Sequence, residues 1–584
     1  MALTALPFIG LPAFYESFIY LAFHWIALAT SWSVLSGYAG YFSFGHGAFF
    51  GAGMYTTSTL TAAFGLPFLA TLPIAALVAA LLAAGIGAVV FRVKRLRGEL
   101  FGLLTLAITF VLATIVLNTP IDGGPGVYLS NVPIPKLVPS PNGTIYLLGL
   151  VLAVATLATA RIVSRSRFGL GLFAISDDED VAEVKGVPTF RYKLLAFALS
   201  AAVAGAAGGT QAIYVGYVTV GETFAVTVPL YVVLMSILGG ARHWLGPAAG
   251  AVVITASLYA FTSGERAIVG RAIVAFALVV VILLLPQGVV PTLLGWWRSR
   301  GTRHRAASEA RAVSPDAITV ADTDEVTLGV TIDGRPNSGD ATSPVLDCRQ
   351  VWKSFGGIQA LRGVDLAIER GAIVGLVGPN GSGKTTLINV ISGHYRADRG
   401  EVALGPTPLT TRAAHEIAHL GVARTYQVPR PFARLSVVDN VALAATFGAT
   451  PCSLAEARNE ASQWLEFTGL QQRARALPGE LNLHERKFLE LARVLAARPR
   501  VILLDEVLSG LNPAEIGSAI RLIQKIREAG ASILFVEHVI RAVVELSDRV
   551  TVLNEGQVIA SGSPREAMRD PRVMQVYLGT SHVA

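Results

Sequence analysis

Ala372–Thr386 reads AIVGLVGPNGSGKTT, and this segment is the most informative part of the second half of the chain. Its first part, Ala372–Val377, has the composition of a buried strand, and the apolar run Leu387–Ile391 predicts the start of a helix. Between them, Gly378–Thr386 contains the pattern G-x-x-x-x-G-K-[ST], which in a strand–loop–helix context is specific for phosphate binding. The stretch therefore predicts an α/β P-loop NTPase domain.

The phosphate loop also predicts a set of nucleotide contacts. Its glycines allow backbone N–H groups to point at phosphate oxygens, and the helix N-terminus adds partial positive charge. Lys384 is expected to contact the β- and γ-phosphates of ATP, and Thr385 is expected to bind Mg²⁺. The nucleotide-contacting residues predicted in the loop are Gly378, Pro379, Asn380, Gly381, Ser382, Gly383, Lys384, Thr385 and Thr386.

Two further strands of the same domain end in polar residues. Val501–Leu504 is followed by Asp505, a candidate Mg²⁺ carboxylate, and by Glu506, a candidate for polarising the attacking water. Ser532–Val536 leads to His538, which at a strand's carboxyl end can reach a γ-phosphate. Alone, the first pattern also suits a strand that ends at an acidic turn, and a single histidine is more often structural. After a phosphate loop, the catalytic interpretation is favoured.

The composition of the whole chain is too apolar for a soluble protein. Of 584 residues, 52% are hydrophobic and 15% are charged, whereas soluble domains carry about 25% charged residues. Residues 1–297 are almost continuously apolar, and residues 298–584 have ordinary soluble composition. The net charge is +7, and the position of the basic residues is more informative than their excess. We therefore expect no nucleic-acid partner. Cys348 and Cys452 form neither a disulfide framework nor a metal motif.

The apolar half predicts eight or nine membrane spans, since about 20 apolar residues cross a bilayer and several candidates are short or glycine-broken. The N-terminus has no basic region or cleavage site of a secretory signal, so its apolar stretch is expected to be a retained span. The candidate spans are Tyr15–Leu35, Gly45–Thr61, Pro67–Phe91, Leu100–Leu117, Thr144–Ala160, Lys193–Ala212, Val226–Gly239, Leu245–Ser263 and Arg271–Trp297.

The loops predict the orientation of these spans. The loop Asn118–Gly143 carries one lysine and one aspartate, whereas three other segments are strongly basic. The positive-inside rule places the basic segments, and hence residue 298 onward, in the cytosol. The expected location is a bacterial-type cytoplasmic membrane. The residues of the basic segments are Arg92, Lys94, Arg95 and Arg97; Arg161, Arg165, Arg167, Arg191 and Lys193; and Arg298, Arg300, Arg303 and Arg305.

Three segments of the chain depart from plain spans and loops. Gly37–Gly53, GYAGYFSFGHGAFFGAG, predicts either a broken helix that lines a pathway or close helix packing, and His46 within it is expected to make a structural hydrogen bond. Ala174–Val187, AISDDEDVAEVKGV, predicts either a short amphipathic helix on a cytosolic partner or a solvated acidic loop. Residues 298–344 are polar, carry proline and glycine, and predict a disordered tether.

Taken together, the motifs of the second half resemble the nucleotide-binding domain of the ABC transporter family over about residues 350–580. Arg349–Leu361, RQVWKSFGGIQAL, resembles its opening strand, which implies that Phe355 stacks on adenine. Gln427 in ARTYQVPRPF resembles the Q-loop glutamine, which links Mg²⁺ and water to the permease. LSGLNP at Leu508–Pro513 resembles the D-loop, and His538 resembles the switch histidine. The residues at the signature position, expected to act on ATP held by a partner ATPase, are Leu481, Asn482, Leu483, His484 and Glu485.

Both halves resemble the branched-chain amino acid importers of this family. The closing run VTVLNEGQVIASGSPREAMRDPRVMQVYLG resembles their ATPases. GYAGYFSFGHGAFFGAGMYT and the segment from SRFGLGLF to AVAGAAGG resemble their permease subunits, with the second containing the cytosolic coupling loop. This permease resemblance spans most of residues 30–290. It implies a fusion of subunits that are often separate chains.

The signature and one other position depart from the family pattern. The signature usually reads leucine, a small residue, two glycines and glutamine, and here Asn482, Leu483, His484 and Glu485 fill the last four places. His484 stands where the family has a glycine whose backbone contacts the γ-phosphate, and Val507 replaces the proline that commonly follows the catalytic glutamate. Neither residue belongs to the phosphate loop, and neither is Asp505, Glu506 or His538. These departures affect the expected activity of one ATP site, which two ATPase domains would form together. They do not affect the resemblance to the family.

The resemblance implies ATP-hydrolysing import of a branched-chain or related amino acid. The expected domains are a polytopic α-helical permease at 1–297, the tether at 298–344 and an ABC-type ATPase at 345–584. The expected partners are a second permease, a second ATPase, an extracytoplasmic solute-binding protein and membrane lipid. A homodimer of this chain is the alternative source of the second permease and the second ATPase. Alternatives are a fused exporter, which the short loops argue against, and a membrane-anchored regulatory ATPase, which would not need so many broken spans.

Overall fold

The structure is a computed structural model that describes residues 2–9, 12–93, 96–122, 124–129, 132–135, 137–138, 142–261, 276, 279–280, 283–285, 287–297 and 344–578. Internal contacts divide the chain into two units. Unit 1 contains the described residues up to Ser176 and those from Phe190 to residue 297. Unit 2 contains the segment Asp177–Thr189 and the described residues from 344 onward. The predicted tether at 298–344 lies, apart from its last residue, outside the described residues.

The first half of the chain is helical, as its apolar composition predicts. Residues 289–297 are also helical. A short antiparallel pair joins β1 (Val127–Tyr128) to β2 (Tyr217–Val218). The helices before residue 262 are α1 (Ala2–Ala5), α2 (Ala13–Trp32), α3 (His46–Ala62), α4 (Phe68–Val90), α5 (Glu99–Leu117), α6 (Gly143–Arg165), α7 (Arg167–Asp177), α8 (Glu179–Val184), α9 (Thr189–Val215), α10 (Val220–Thr223), α11 (Thr227–Gly239) and α12 (Gly246–Phe261).

Six helical segments in the described residues are long and apolar enough to cross a membrane. They are Ala13–Gly37, Phe68–Val90, Glu99–Leu117, Gly143–Arg165, Thr189–Val215 and Val220–Gly239. Two other predicted spans correspond to shorter helices, α3 and α12, and the predicted span Arg271–Trp297 lies largely outside the described residues. In Phe68–Val90 only 28% of the apolar window is buried, so most of its surface is available to lipid.

The glycine-rich segment contains both a break in the helix and close packing, while its predicted position along a pathway stays a prediction. The helix that precedes this segment ends in a π-helical turn, in which the Tyr38 N–H donates to Ser33 O at 2.9 Å. The next helix begins at His46. Close packing also occurs, because a Cβ on Gly53 would lie 2.1 Å from Gly205 O. The predicted structural hydrogen bond of His46 is confirmed: its Nε2 lies 3.2 Å from Ser200 Oγ.

Unit 2 is an α/β domain with two sheets. One sheet has six strands in the order β12-β11-β5-β10-β9-β8, and the other has four in the order β4-β3-β6-β7. The strands are β3 (Leu346–Phe355), β4 (Ile358–Ile368), β5 (Ile373–Val377), β6 (Arg399–Leu404), β7 (Thr407–Pro408), β8 (Val422–Arg424), β9 (Val501–Asp505), β10 (Ser532–Val536), β11 (Arg549–Asn554) and β12 (Gln557–Gly562). The helices after residue 344 are α13 (Lys384–Ile391), α14 (Ala414–His419), α15 (Val437–Phe447), α16 (Leu454–Phe467), α17 (Leu483–Ala496), α18 (Pro513–Glu528), α19 (Ile540–Leu546), α20 (Pro564–Ala567) and α21 (Pro571–Leu578).

The six-stranded sheet brings the predicted site residues to one edge. Strands β5, β9 and β10 are parallel and buried along their whole length. Their register places Leu376 beside Val536 and Val536 beside Asp505. Because parallel strands end at the same edge of a sheet, the loops after all three converge there.

Candidate ATP-binding and hydrolysis site

The phosphate loop follows β5 in a conformation that requires glycine at two positions. Gly378 has a φ of +154°, and a Cβ there would lie 2.0 Å from Leu553 O. Gly383 has a φ of +105°, and a Cβ there would lie 2.6 Å from Ala360 O. Any side chain at either position would clash with backbone. The two glycines therefore let the loop wrap tightly in front of the N-terminus of α13.

The polar groups of this loop fit a bound phosphate. Lys384 Nζ donates to Gly378 O at 2.7 Å and to Pro379 O at 2.9 Å, so the ammonium lies across the mouth of the loop. Burial lowers the pKa of Lys384. The buried Ser382 Oγ has no hydrogen-bond partner among the described residues. A phosphate oxygen could accept from the Ser382 hydroxyl and from the Lys384 ammonium in place of a loop carbonyl.

Three of the predicted catalytic residues meet at the neighbouring strand ends. Glu506 follows β9 with a φ of +47°, and its N–H donates to Val536 O at 2.9 Å. Its Oε1 lies 2.6 Å from His538 Nε2, and its Oε2 accepts from Gln427 Nε2 at 2.5 Å. A carboxylate held by two side chains at a strand edge is placed to act as a general base. The residues are 79 and 32 positions apart in sequence, and only the fold brings them together.

Asp505 lies deeper than Glu506 and is held by the strand next to it. Its N–H donates to Thr425 Oγ1 at 2.9 Å, and its Oδ2 lies 3.7 Å from Arg424 Nη2. Burial raises the pKa of Asp505 above its ordinary value. A nearby cation would favour the ionised carboxylate, because opposite charge offsets desolvation.

The donor set fits Mg²⁺ by its chemistry. Thr385, Gln427 and Asp505 offer oxygen ligands, which this hard cation prefers. In the described part of the chain no three His, Cys, Asp or Glu side chains cluster as a metal site.

A buried lysine that the sequence analysis did not single out supports this constellation. Lys487 on α17 donates through Nζ to the carbonyls of Glu506, Val507 and Ser509, at 3.0, 2.9 and 2.6 Å. Glu537, also buried, accepts from the Leu508 N–H at 2.6 Å. The backbone at and after Glu506, the candidate catalytic carboxylate, is thus tied to α17. The only sequence signal was the position of Lys487, two residues after the signature residues.

The signature residues form the start of α17. Asn482 is the N-cap and accepts from the Glu485 N–H at 2.8 Å, while Glu485 Oε2 accepts from the Asn482 N–H at 2.9 Å. This capping box satisfies backbone groups at the helix start. Leu481 is buried and Leu483 is exposed. His484 packs its ring 4.2 Å from the ring of Phe488, and its Nε2 has no hydrogen-bond partner among the described residues.

Phe355, the predicted adenine contact, ends β3 with an exposed face. Its side chain is 40% exposed, and its ring lies 5.0 Å from the ring of Tyr395 in an edge-to-face arrangement. Lys353 Nζ lies 5.3 Å from the same ring. A partly exposed ring that is supported at its edge leaves a face free for stacking.

The segment Asp177–Thr189 belongs to unit 2 and has the short amphipathic helix that its sequence suggested. Asp178 caps α8 by accepting from the Val181 N–H at 3.1 Å, and Val181 and Val184 are buried. Gly186 has a φ of +93°, and a Cβ there would lie 2.0 Å from Phe447 O. The alternative of a solvated acidic loop was wrong, because the apolar face and the glycine are packed.

Charged contacts hold this segment beside the residues that flank Gln427. Asp178 Oδ2 lies 2.7 Å from Arg430 Nη2, and Asp177 Oδ2 accepts from the Arg434 N–H at 2.9 Å. The buried Lys185 Nζ donates to Arg424 O at 2.9 Å, and the Arg424 guanidinium in turn faces Asp505. One residue therefore lies between the segment and the candidate magnesium carboxylate.

Lys185 is also part of a buried ion-pair group. Its Nζ lies 3.5 Å from Glu490 Oε2, and Glu490 Oε1 contacts Arg493. Burial lowers the pKa of Lys185 to about 8. Burial alone would raise the pKa of Glu490, but Arg493 and Lys185 bring it below its ordinary value. These three residues were missed because no local motif marks them.

Comparison with known proteins assigns both halves of the chain. Residues 14–285 match the family model described as the permease component of a branched-chain amino acid transport system. Residues 361–509 match the ABC transporter model, and residues 557–583 match a model described as branched-chain amino acid ATP-binding cassette transporter. A curated relative, the high-affinity branched-chain amino acid transport ATP-binding protein BraF of Pseudomonas aeruginosa, is 35% identical over 250 residues, which are 40% of this chain and 98% of BraF. The chain belongs to the ABC transporter family.

Other relatives of this ABC transporter chain agree. The high-affinity branched-chain amino acid transport ATP-binding protein LivG of Escherichia coli K12 is 34% identical over 252 residues, 41% of this chain and 99% of LivG. Among solved structures, a nucleotide-free ATP-binding cassette from an ABC transporter is 29% identical and covers 40% of this chain and 99% of its own, with a TM-score of 0.37. The family-model matches show that the ABC transporter chain carries a permease domain and an ATP-binding cassette in one polypeptide.

Proposed function

We propose that this protein hydrolyses ATP to import a branched-chain or related amino acid across the cytoplasmic membrane. One observation carries the proposal: a single chain joins a branched-chain amino acid permease domain at 14–285 to the Glu506, His538 and Gln427 constellation. The permease match names the transport class. The constellation supplies the chemistry that drives it.

The permease half is what favours import over export. The ATPase half alone does not decide, since the lipopolysaccharide export system ATP-binding protein LptB of Acidithiobacillus ferridurans is also 35% identical, over 237 residues. The match to the amino acid permease model covers residues 14–285, which lie outside the ATPase half, so the preference for import comes from the permease half. A fused exporter and a regulatory ATPase are the alternatives that the transport test distinguishes.

We further propose the domain layout 1–297, 298–344 and 345–584, with eight or nine spans. Six candidate spans in the described residues support a polytopic domain, and the shorter helices α3 and α12 complete a count of eight. The basic loops support cytosolic placement of residue 298 onward. This orientation puts the ATPase where ATP is available.

Hydrolysis follows from the geometry of Glu506. Gln427 and His538 hold its two carboxylate oxygens, so the side chain is fixed at the edge where the γ-phosphate of ATP would end. We propose that Glu506 accepts a proton from the attacking water, and that Gln427 and His538 position water and phosphate. Lys384 would leave its loop carbonyls to contact the β- and γ-phosphates. Mg²⁺, held by Thr385, Gln427 and Asp505, would neutralise charge on the phosphate oxygens.

Coupling to transport would run through the segment Asp177–Thr189. It lies within unit 2, and its Lys185 donates to Arg424, three residues before Gln427 and facing Asp505. We propose that nucleotide-dependent movement around Gln427 displaces this segment and thereby the helices on either side of it. The assembly would contain a second permease, a second ATPase and an extracytoplasmic solute-binding protein.

Transport in proteoliposomes tests the proposal. The chain would be reconstituted with its partner subunits, and uptake of L-leucine would be followed with and without ATP and binding protein. Lys384→Ala should abolish ATP binding and uptake, whereas Lys525→Ala, on the exposed face of α18, should leave both unchanged. ATP-driven efflux would support an exporter. ATP turnover without any solute flux would support a regulatory ATPase.

A further inference from the structure

A cleft on unit 2 lies apart from the predicted nucleotide contacts. Its volume is about 590 Å³, which falls within the range of small-molecule sites. It lies between strands β3 and β4 on one side and β11 and β12 on the other. Its charged lining residues are Asp347, Arg349, Arg362, Asp365 and Arg549. None of them has a role in the ATP site described above.

Two arginines of the cleft can bind an anionic group of a ligand. The buried Arg362 Nε has no hydrogen-bond partner, and Arg362 forms no ion pair with any residue that the structure describes. Arg549 directs its Nε to Ser561 Oγ at 3.2 Å rather than to a carboxylate. A buried guanidinium N–H without an acceptor is costly, so the arrangement indicates a missing anionic group. A carboxylate matches the planar fork of arginine.

The cleft also carries negative charge, which argues against a simple anion. Asp365 is held by Gln350, whose N–H and Nε2 donate to its two oxygens at 2.7 and 2.5 Å. Asp347 Oδ2 accepts from Arg349 Nε at 2.7 Å. Each carboxylate oxygen has a further lone pair, so both side chains can accept from an ammonium group. Leu366 and Val558 supply apolar surface between these charges.

The backbone connects the cleft to the phosphate loop in two hydrogen bonds. The Arg362 N–H donates to Gly556 O at 2.8 Å, and the Gly556 N–H donates to Ser382 O at 2.9 Å. Ser382 is the loop residue whose buried hydroxyl has no partner in the described part of the chain. A ligand that fixes Arg362 would therefore act on the position of the loop through one glycine.

We propose that this cleft binds a free α-amino acid and thereby changes the affinity of the phosphate loop for ATP. The carboxylate would bind Arg362 and Arg549, the ammonium would bind Asp365 and Asp347, and the side chain would lie on Leu366 and Val558. The proposal rests on the proposed function in one respect: import delivers amino acids to the side on which the ATPase lies. By linkage, ATP changes the affinity for the amino acid by the same factor as the amino acid changes that for ATP.

Calorimetry on the purified full chain tests this site, with L-leucine as the probe. Arg362→Gln and Arg549→Gln should each weaken binding by about tenfold or more, because each removes a charge-assisted contact. Arg370→Gln, which removes an exposed arginine outside the cleft, should change nothing. 4-Methylpentanoate, which is L-leucine without its ammonium group, and inorganic phosphate should bind much more weakly. The dissociation constant of ATP should shift when L-leucine is present, and Arg362→Gln should abolish that shift.

Several results would overturn the proposal. Equal binding of 4-methylpentanoate or phosphate would make the cleft a plain anion site. Binding that survives both arginine substitutions would locate the amino acid elsewhere in the chain. A dissociation constant of ATP that does not change when L-leucine is bound would contradict the regulatory role. Leucine uptake by a chain that shows no such binding would sink this inference while leaving the proposed import function intact.

Discussion

Glu506 Oε1 lies 2.6 Å from His538 Nε2, across the ends of two adjacent parallel strands. Glu506 reaches this position with a left-handed backbone at φ +47°, which costs free energy for a residue with a side chain. The strained turn directs the carboxylate out of the sheet edge, while Lys487 holds the backbone that follows. Carboxylate, histidine and lysine are therefore linked by direct hydrogen bonds, and the first two predictions test this arrangement.

Glu506→Gln should retain ATP binding and lose hydrolysis. The amide keeps the shape of the carboxylate but cannot accept the proton of water, and loss of a general base costs about 10²–10⁴-fold in rate. The measurement is single-turnover hydrolysis together with nucleotide binding on the same sample. Glu528→Gln, at the exposed end of α18, is the matched control. Hydrolysis at the wild-type rate would show that Glu506 is not the base.

Lys487→Met should lower turnover with little change in ATP affinity. The ammonium donates to the carbonyls of Glu506, Val507 and Ser509, and its loss leaves buried acceptors without a donor at a cost of about 1–3 kcal/mol. Lys487→Arg, which keeps charge and donors, should recover part of the rate. The readouts are kcat, nucleotide affinity and thermal stability. A loss of stability with unchanged kcat would assign Lys487 a purely structural role.

Lys185 should make the docking of its segment depend on pH. Burial lowers its pKa from an ordinary 10.5 to about 8. Between these values the undocked lysine holds a proton that the docked one has lost, so the docked state gains stability as pH rises from about 8 toward 10.5. Below pH 8 both forms are protonated and the dependence vanishes.

Hydrogen exchange of residues 177–189 in the full chain measures this effect. After correction for intrinsic exchange, protection should rise between pH 8 and 10 in the wild type. Lys185→Met should remove that rise, whereas Lys525→Met should preserve it. A Lys185→Met chain with the same pH slope would show that another group titrates.

The two ATP sites of the assembly should be unequal. The resemblance to this family implies that the signature of one ATPase faces the phosphate loop of the other, so His484 would act on ATP held by the partner. Its side chain occupies a place where close backbone approach is expected. The strong site should use Lys384, Glu506 and His538 of this chain.

Turnover of the assembled complex, with each catalytic glutamate neutralised separately, tests this inequality. Loss of Glu506 should remove most hydrolysis, and loss of the partner's glutamate should remove little. Equal losses would contradict the prediction and indicate that His484 supplies a phosphate contact of its own. His484→Gly is a second test, because restoring glycine should raise turnover at the weaker site.

Single cysteines should report the orientation of the spans. Tyr128 is exposed in the sparsely charged loop, so Tyr128→Cys should react with an impermeant maleimide in intact cells. Lys525→Cys should react only after the cells are opened. Cys452→Ser in both variants removes a partly exposed native thiol. Labelling of Lys525→Cys from outside would reverse the proposed topology.

Local patterns predicted the elements better than the contacts between them. The expected strand Ala372–Val377 appears as Ile373–Val377, and the strand before Asp505 extends to include it. The span count was less accessible, because α3 and α12 are apolar but short, and hydropathy alone does not decide whether helices of that length cross the membrane. Glu490 and Arg493 were missed because a buried ion pair has no sequence pattern, and only packing shows that both lie in the interior.

The sequence by itself determined the two halves of the chain, the phosphate loop and the residue types of the ATP site. Those features are local: a run of apolar residues, a glycine pattern, and an acidic pair after a strand. Only the tertiary structure decided which distant groups meet. Parallel pairing of β5, β10 and β9 brings Gln427 and His538 to Glu506, and burial brings Lys185 to Arg424 and Glu490. The physical reason is that strand order and burial are set by the packing of the whole domain, which no short window of sequence contains.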